Sequence, residues 1–179
     1  VKYLFFSFVL LHSQSFKSLD PPVTVNNRQL KYPWVGGLNT PQIMNSDVFF
    51  ADTKAGVTLF DRTGSVWLPF EVKDGKLIYR PSLKPYYPRV KDWVAMVDYN
   101  GDKTIDIFSY STTPGVAGID LYRHVVGSES SLFEKITFPN DRNDILYYQS
   151  GNSRFNIYVS NIDYPGIADI DRDGDVDIL

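Results

Sequence analysis

Short apolar runs alternate with turn residues from Trp34 to the last residue of the chain. The runs are four to six residues long, are rich in β-branched and aromatic side chains, and are bounded by Gly, Pro, Asn or Asp. Runs of this kind are typical of strands and hairpins. No window of 11 or more residues has the apolar spacing of a helix. The sequence therefore predicts an all-β domain of antiparallel strands.

Three pairs of runs are predicted to form hairpins. The pairs are residues 57–60 with 66–68, residues 105–110 with 119–122, and residues 145–148 with 155–159. Their first strands begin near residues 57, 105 and 145, so the hairpins recur every 40 to 48 residues. A period of this size is typical of β-propeller blades. Such blades need neighbours to cover their faces.

The beginning of the chain has a different pattern. Lys2 precedes an apolar run over residues 3–11, and the small residues Ser13 and Ser15 follow it. This order predicts a secretory signal peptide over residues 1–15, and the alternative is a buried first strand. The run is shorter than the roughly 20 residues that a membrane span needs. No membrane span is therefore predicted.

The remainder divides into a linker and a domain. Residues 16–33 are polar and contain a Pro pair and an Asn pair, which predicts a linker. The predicted domain covers residues 34–179 and has about three blade-like units. The units are expected at about 34–84, 85–130 and 131–179.

The acidic residues are mostly Asp, since the chain has 18 Asp and only 3 Glu. Glu suits helices whereas Asp favours turns and caps, so the excess of Asp agrees with a β-rich fold. The formal net charge of −3 gives no electrostatic reason to expect nucleic-acid binding. Because the chain has no cysteine, its loops cannot be held by disulfides. Metal ions are the candidate replacement.

Eight of the 18 Asp lie in two nine-residue segments, residues 98–106 and 169–177. Both segments have carboxylate or amide oxygens at positions 1, 3, 5 and 9, and both run directly into an apolar strand. The candidate metal ligands are Asp98, Asn100, Asp102, Thr104 and Asp106 in the first segment and Asp169, Asp171, Asp173, Asp175 and Asp177 in the second.

The spacing of these oxygens suits calcium. Calcium takes six to eight oxygen ligands in irregular geometry, whereas magnesium demands near-ideal octahedral geometry. Zinc is disfavoured because neither segment contains His or Cys. The first segment is not an EF-hand, because Ser109 stands at position 12 where a bidentate Glu is needed. Solvated Asp-rich turns are the alternative interpretation.

Loops at residues 48–56 and 136–144 stand in the corresponding places before the first and third hairpins. They keep few oxygen-bearing side chains at the ligand positions. We therefore predict that neither loop binds metal.

The two acidic segments and their flanking strands resemble the calcium-loop repeats of the FG-GAP or VCBS family, which form integrin-α-like β-propellers. Residues 34–39 and 60–64 are similar to the opening blade in large exported proteins of Bacteroidota-type bacteria. The resemblance implies four-stranded antiparallel blades with calcium bound between the first two strands. Three units are too few to close a ring, so the expected fold is an incomplete propeller. We expect the N-terminal part of a longer protein, with further blades downstream.

The resemblance also implies a function. It predicts a secreted or cell-surface calcium-binding module for adhesion or recognition, with structural calcium and an extracellular protein or glycan as ligand. One alternative is the non-catalytic repeat region of a secreted carbohydrate-active enzyme. Another is a structural spacer of a surface protein.

No catalytic residues are predicted, and the chain is not expected to be an enzyme. Neither histidine, His12 or His124, belongs to a catalytic motif. Several aromatic residues have side chains able to stack on sugar rings, but their spacing favours packing inside and between blades. These are Trp34, Trp67, Trp93, Tyr86 and Tyr87.

Overall fold

The computed structural model describes residues 21–33, 35–46, 56–125, 132–138 and 144–179. The chain divides into one compact unit that ends at Gly36 and a second that covers Gly37–Leu179. The described residues form an all-β structure with antiparallel sheets, as predicted. Their strands do not close into a barrel or a propeller ring. The signal peptide predicted at residues 1–15 lies outside the described residues.

The first unit contains a small hairpin inside the segment predicted as a linker. Strand β1 (Thr24–Val25) pairs with β2 (Arg28–Gln29). The two residues between them, Asn26 and Asn27, have φ angles of 49° and 61°. Two successive positive φ angles define the type I′ turn, which Asn tolerates well. The Asn pair is thus a hairpin signal as well as a polar one.

The second unit begins with a four-stranded sheet. Its strands are β3 (Pro41–Asn45), β4 (Gly56–Asp61), β5 (Val66–Lys73) and β6 (Lys76–Tyr79), in the order β3-β4-β5-β6. The first predicted hairpin is confirmed as β4 and β5. A 3-10 helix at Pro81–Tyr86 follows the sheet.

A second four-stranded sheet follows with the same order of strands. It contains β7 (Val94–Val97), β8 (Asp106–Tyr110), β9 (Ile119–His124) and β10 (Phe133–Lys135). The second predicted hairpin is confirmed as β8 and β9. Because β10 pairs with β9, this sheet extends past residue 130, where the sequence predicted a boundary between units.

Two hairpins complete the chain. Strand β11 (Tyr147–Ser150) pairs with β12 (Ser153–Asn156), and β13 (Ile167–Ala168) pairs with β14 (Asp177–Ile178). The third predicted hairpin therefore exists as β11 and β12.

The place of this hairpin differs from the prediction. The backbone N–H of Leu146 donates to the carbonyl oxygen of Ile119 at 2.8 Å, which attaches the hairpin to the second sheet. The strand pair equivalent to β7 and β8 is instead β13 and β14. The predicted hairpins begin at Gly56, Asp106 and Tyr147, close to the predicted residues 57, 105 and 145. The two sheets and the last hairpin, however, begin at Pro41, Val94 and Ile167, so the intervals of the structural repeat are longer than the predicted 40 to 48 residues. The inserted hairpin accounts for the longer second interval.

The second sheet is covered on both faces. Val94, Ile107 and Tyr122 belong to the core shared with the first sheet. Ala95 and Phe108, their neighbours along the strands, belong to the core that includes Ile167 of β13 and other apolar side chains that follow the sheet. Successive side chains of a strand point to opposite faces. A sheet buried on both faces thus requires the continuous apolar runs of this sequence.

The predicted packing role is confirmed for Trp67, Trp93 and Tyr87, which are buried. Trp67 packs between Phe60 and Tyr87 and donates its indole N–H to the carbonyl oxygen of Pro88 at 2.9 Å. Burying an aromatic ring of this size stabilises the fold by roughly 1.5 to 3 kcal/mol. These rings are therefore not available to stack on a ligand. Trp34 lies outside the described residues.

Candidate metal centre

The two acidic segments form loops that connect equivalent strand pairs. In the first, Val97 at the end of β7 lies opposite Asp106 at the start of β8. In the second, Ala168 at the end of β13 lies opposite Asp177 at the start of β14. Both loops therefore span the same number of residues between matched strand ends. We call them the first acidic loop (98–106) and the second acidic loop (169–177).

The two loops also share an unusual backbone conformation. Positions 4 and 6 have positive φ angles in both: 73° and 68° at Gly101 and Lys103, and 65° and 98° at Arg172 and Gly174. Each loop has one glycine and one larger residue at these positions, in opposite order. A larger residue in this conformation is strained. The shared shape therefore does not follow from glycine placement alone.

Three hydrogen bonds recur at the same positions of the two loops. The N–H of position 2 donates to the carboxylate of position 9, the N–H of position 5 to the side chain of position 3, and the N–H of position 7 to the carboxylate of position 5. Their lengths are 3.1, 3.1 and 2.8 Å in the first acidic loop. They are 2.9, 3.2 and 3.1 Å in the second. A carboxylate that accepts one N–H still has lone pairs for a cation.

The second acidic loop brings three predicted ligands together. Carboxylate oxygens of Asp169, Asp171 and Asp177 all lie within 4.8 Å of one another. Two ligands on opposite sides of a calcium ion are about 4.8 Å apart, since each calcium–oxygen distance is about 2.4 Å. The separation therefore fits a single calcium ion. Asp169 and Asp171 are exposed and Asp177 is half-buried, so solvent also reaches this position.

The other two predicted ligands of this loop, Asp173 and Asp175, do not belong to that group of three. They interact with each other instead. Hydrogen bonds from the backbone and side chain of Asp175 hold the pKa of Asp173 below its ordinary value. The hydrogen bond with Asp173 and the negative charge of Asp173 raise the pKa of Asp175. A cation in the loop would relieve this repulsion.

The first acidic loop is arranged differently. Both carboxylate oxygens of Asp98 accept loop N–H groups, from Gly101 at 2.9 Å and from Lys103 at 2.8 Å. Within the described part of the chain, the three carboxylates of this loop do not form a close group like that of the second. Asp98 is thus committed to the backbone of its own loop.

Asn100 and Thr104 both contact Asp102. The Asn100 amide donates to one carboxylate oxygen of Asp102 at 2.9 Å, and the Thr104 hydroxyl donates to the other. The hydrogen bond from Thr104, followed by that from Asn100, lowers the pKa of Asp102. These neutral partners occupy oxygens that a metal ion would use.

Asp106 is fully buried and links the loop to the sheet. It accepts hydrogen bonds from the backbone N–H of Tyr99 at 3.1 Å and of His124 at 2.8 Å. Burial raises the pKa of Asp106, and those two hydrogen bonds oppose the rise. Asp106 thus has a structural role in addition to its predicted role as a ligand.

His124 lies beside this loop. Burial lowers the pKa of its imidazole, and the negative charge of Asp102 opposes that shift. The ring packs edge-on against Phe133, with ring centroids 5.7 Å apart. His124 therefore contributes to packing beside the first acidic loop.

The two loops predicted not to bind metal lie largely outside the described residues. Only Gly56 of the 48–56 loop is described, and residues 139–143 of the 136–144 loop are not. Asp144 accepts the backbone N–H of Phe138 at 2.8 Å. The absence of metal binding therefore stays a prediction for both loops.

Another buried carboxylate, Asp120, was not singled out by the sequence. It lies 3.1 Å from the ammonium nitrogen of Lys135 and accepts hydrogen bonds from the backbone and hydroxyl of Thr112. A buried carboxylate needs such partners. Its partners within the second sheet indicate a structural role.

Comparisons with known proteins found no matching family model, no matching curated protein and no matching solved structure. In the described residues, no helix is long and apolar enough to cross a membrane. The FG-GAP or VCBS resemblance therefore stays a prediction. Within the part of the chain that the structure describes, a metal site is indicated only by the two acidic loops themselves.

Proposed function

We propose that the chain is a calcium-binding β-propeller module, of the FG-GAP or VCBS type, that acts in adhesion or recognition of proteins or glycans. Its calcium is structural, and its location is extracellular, either secreted or on the cell surface. The observation that supports this most is the repetition of one loop conformation in two loops of different sequence. Lys103 and Arg172 have positive φ angles, which are strained for residues other than glycine. A strained conformation that occurs in both loops supports a function for that conformation.

The arrangement of the sheets supports the propeller part of the proposal. Strand β7 contacts both β3 and β13. The first strands of the two sheets and of the last hairpin are therefore neighbours. The second sheet is covered on both faces by units before and after it in the chain. Blades packed face to face around an axis would give both features.

The donor set supports calcium. The second acidic loop has five Asp and no nitrogen or sulfur side chain suited to zinc. Two carboxylates about 5 Å apart repel by about 3 kcal/mol at an effective dielectric constant of 20, and by under about 1 kcal/mol where water screens them, as at these largely exposed side chains. A divalent cation removes that repulsion and replaces it with attraction.

The test is a calorimetric melt of the chain in calcium and in EGTA. Calcium at 100 times its dissociation constant adds about 2.7 kcal/mol to the free energy of unfolding. For a domain of this size the midpoint should rise by roughly 5 to 10 °C. Asp171→Asn should reduce the rise. Asp163→Asn should not, because Asp163 is exposed and lies outside both loops.

An equal midpoint in calcium and in EGTA would contradict the calcium proposal. Recognition is tested separately on a glycan array and by capture of extracellular proteins. A calcium-dependent fold without any ligand would favour the structural spacer instead.

A further inference from the structure

A shallow pocket, open to solvent, lies away from the acidic loops. Its volume is about 420 Å³. It is lined by the start of β3, the turn between β4 and β5, and the segment before β13. The lining residues are Thr40, Pro41, Gln42, Ile43, Arg62 and Tyr164.

This pocket is at the opposite end of the strands from the acidic loops. Gln42, near the start of β3, hydrogen-bonds the backbone of Val94 at the start of β7. The first acidic loop follows the other end of β7, after Val97. A ligand in the pocket would therefore not compete with calcium for the same residues.

Arg62 is the charged residue of the pocket. Its Nε–H donates to the carbonyl oxygen of Asp92 at 2.5 Å, and its Nη2 donates to that of Asn161 at 3.5 Å. Carbonyl oxygens fix the plane of the guanidinium without neutralising its charge. Among the described residues no carboxylate lies within ion-pair distance of Arg62. Three of its five N–H donors stay available for a ligand.

The other walls of the pocket are partly apolar. Tyr164 donates its hydroxyl to the carbonyl oxygen of Val94 at 3.0 Å, and its ring meets the edge of Trp93. Even so, 52% of Tyr164 and 71% of Ile43 is exposed. The pocket thus presents an apolar surface beside a fixed positive charge.

We propose that this pocket binds a uronic acid unit of an acidic polysaccharide. The sugar carboxylate pairs with the free edge of the Arg62 guanidinium, in the bidentate geometry that favours such pairs. The C–H face of the sugar ring lies on Tyr164. Neither a free phosphate nor the side chain of an acidic peptide has an apolar ring face that could lie on Tyr164. The inference rests on the proposed recognition function and names its ligand.

The test is a calorimetric titration of the chain with tri-β-1,4-glucuronate, with cellotriose as the neutral match and tetra-aspartate as the acidic peptide. The glucuronate should bind at least tenfold more tightly than either control, and more weakly as salt rises. Equal binding of cellotriose, or equal or tighter binding of tetra-aspartate, would overturn the proposal.

Variants locate the site. Arg62→Gln should weaken glucuronate binding at least tenfold, and Arg62→Lys should give an intermediate loss because it keeps the charge without the planar fork. Arg123→Gln makes the same charge change at an exposed ion pair and should leave binding unchanged. Tyr164→Phe should bind nearly as well as the wild type, whereas Tyr164→Ala should lose about fivefold. If Arg62→Gln does not fold, two comparisons still test the proposal. One compares glucuronate binding by Tyr164→Phe and Tyr164→Ala, and the other compares wild-type binding of glucuronate with that of the two control ligands.

A calorimetric melt in calcium and in EGTA on the same sample separates this inference from the calcium proposal. Glucuronate binding without any effect of calcium would contradict only the calcium proposal. A calcium-dependent melt without glucuronate binding would contradict only the pocket.

Discussion

The two acidic loops have the same backbone but use their carboxylates differently. In the second acidic loop three carboxylates converge within 4.8 Å. In the first, Asp98 and Asp102 accept hydrogen bonds from N–H groups of the loop itself, and Asp106 is buried against β9. The comparison shows that one loop shape occurs with two different arrangements of its carboxylates. The difference follows from the partners, since Asn100 and Thr104 replace two of the Asp in the second loop.

The largest expected effect comes from the last carboxylate of each loop. Asp106→Ala should reduce the free energy of unfolding by about 3 kcal/mol in EGTA, because two N–H groups lose a buried acceptor. Asp177→Ala should cost less than about 1 kcal/mol under the same conditions, because Asp177 is half-buried, accepts the N–H of Ile170, and its removal relieves repulsion from Asp169 and Asp171. Urea unfolding measures both values.

Equal losses for these two variants would contradict the structural role of Asp106. Asp106→Asn is the control, since an amide oxygen still accepts a hydrogen bond. It should recover part of the lost stability without restoring the charge.

A smaller effect is expected on calcium affinity. Asn100→Asp adds the missing carboxylate and removes the amide that bonds Asp102, so calcium affinity of the first acidic loop should rise about tenfold, or 1.4 kcal/mol. Asp171→Asn should lower the affinity of the second loop by a similar factor. Isothermal titration of both variants against the wild type measures these changes.

Unchanged calcium affinity in Asn100→Asp would contradict the role of position 3 in the difference between the two loops. Asn152→Asp offers a matched control, because it adds the same charge at an exposed turn outside both loops.

The smallest effect concerns the strained positions. Lys103→Gly and Arg172→Gly should each raise the free energy of unfolding by about 0.5 to 1 kcal/mol, since glycine adopts positive φ without strain. Thermal melts in EGTA should show the gain in both loops. Lys91→Gly is the comparison outside the loops, because Lys91 is absent from the residues with positive φ. A loss of stability in Lys103→Gly and Arg172→Gly would show that their side chains matter more than their backbone.

Local sequence predicted much of the fold and of the candidate site. The pairing of Phe60 with Trp67 in β4 and β5 follows from two apolar runs around a short turn. The ends of both acidic loops follow from the Asp spacing and the strands after it. Both features depend on residues close together in the chain.

The sequence pattern does not predict which strands pair when they are far apart in the chain. The apolar run around Leu146 shows that a strand exists, but not that its edge joins β9 through Ile119. The same limit applies to Asp106, whose burial depends on His124 of another strand. The pocket around Arg62 brings together Thr40 and Tyr164, which are far apart in the chain, and no local pattern indicates it.

Each of the two large sheets contains only strands that are consecutive in the chain, which has a consequence for synthesis. The strands of such a sheet can pair before later residues are made, but the apolar face of the first sheet at Phe60 and Trp67 is covered only when the second sheet follows. The second sheet has the same dependence, since its apolar face at Ala95, Phe108 and Leu121 is covered by Ile167, which is made later still. Until then a nascent chain presents an apolar face to the crowded surroundings of the ribosome. Chaperone binding and misassembly should therefore concentrate in this interval of translation.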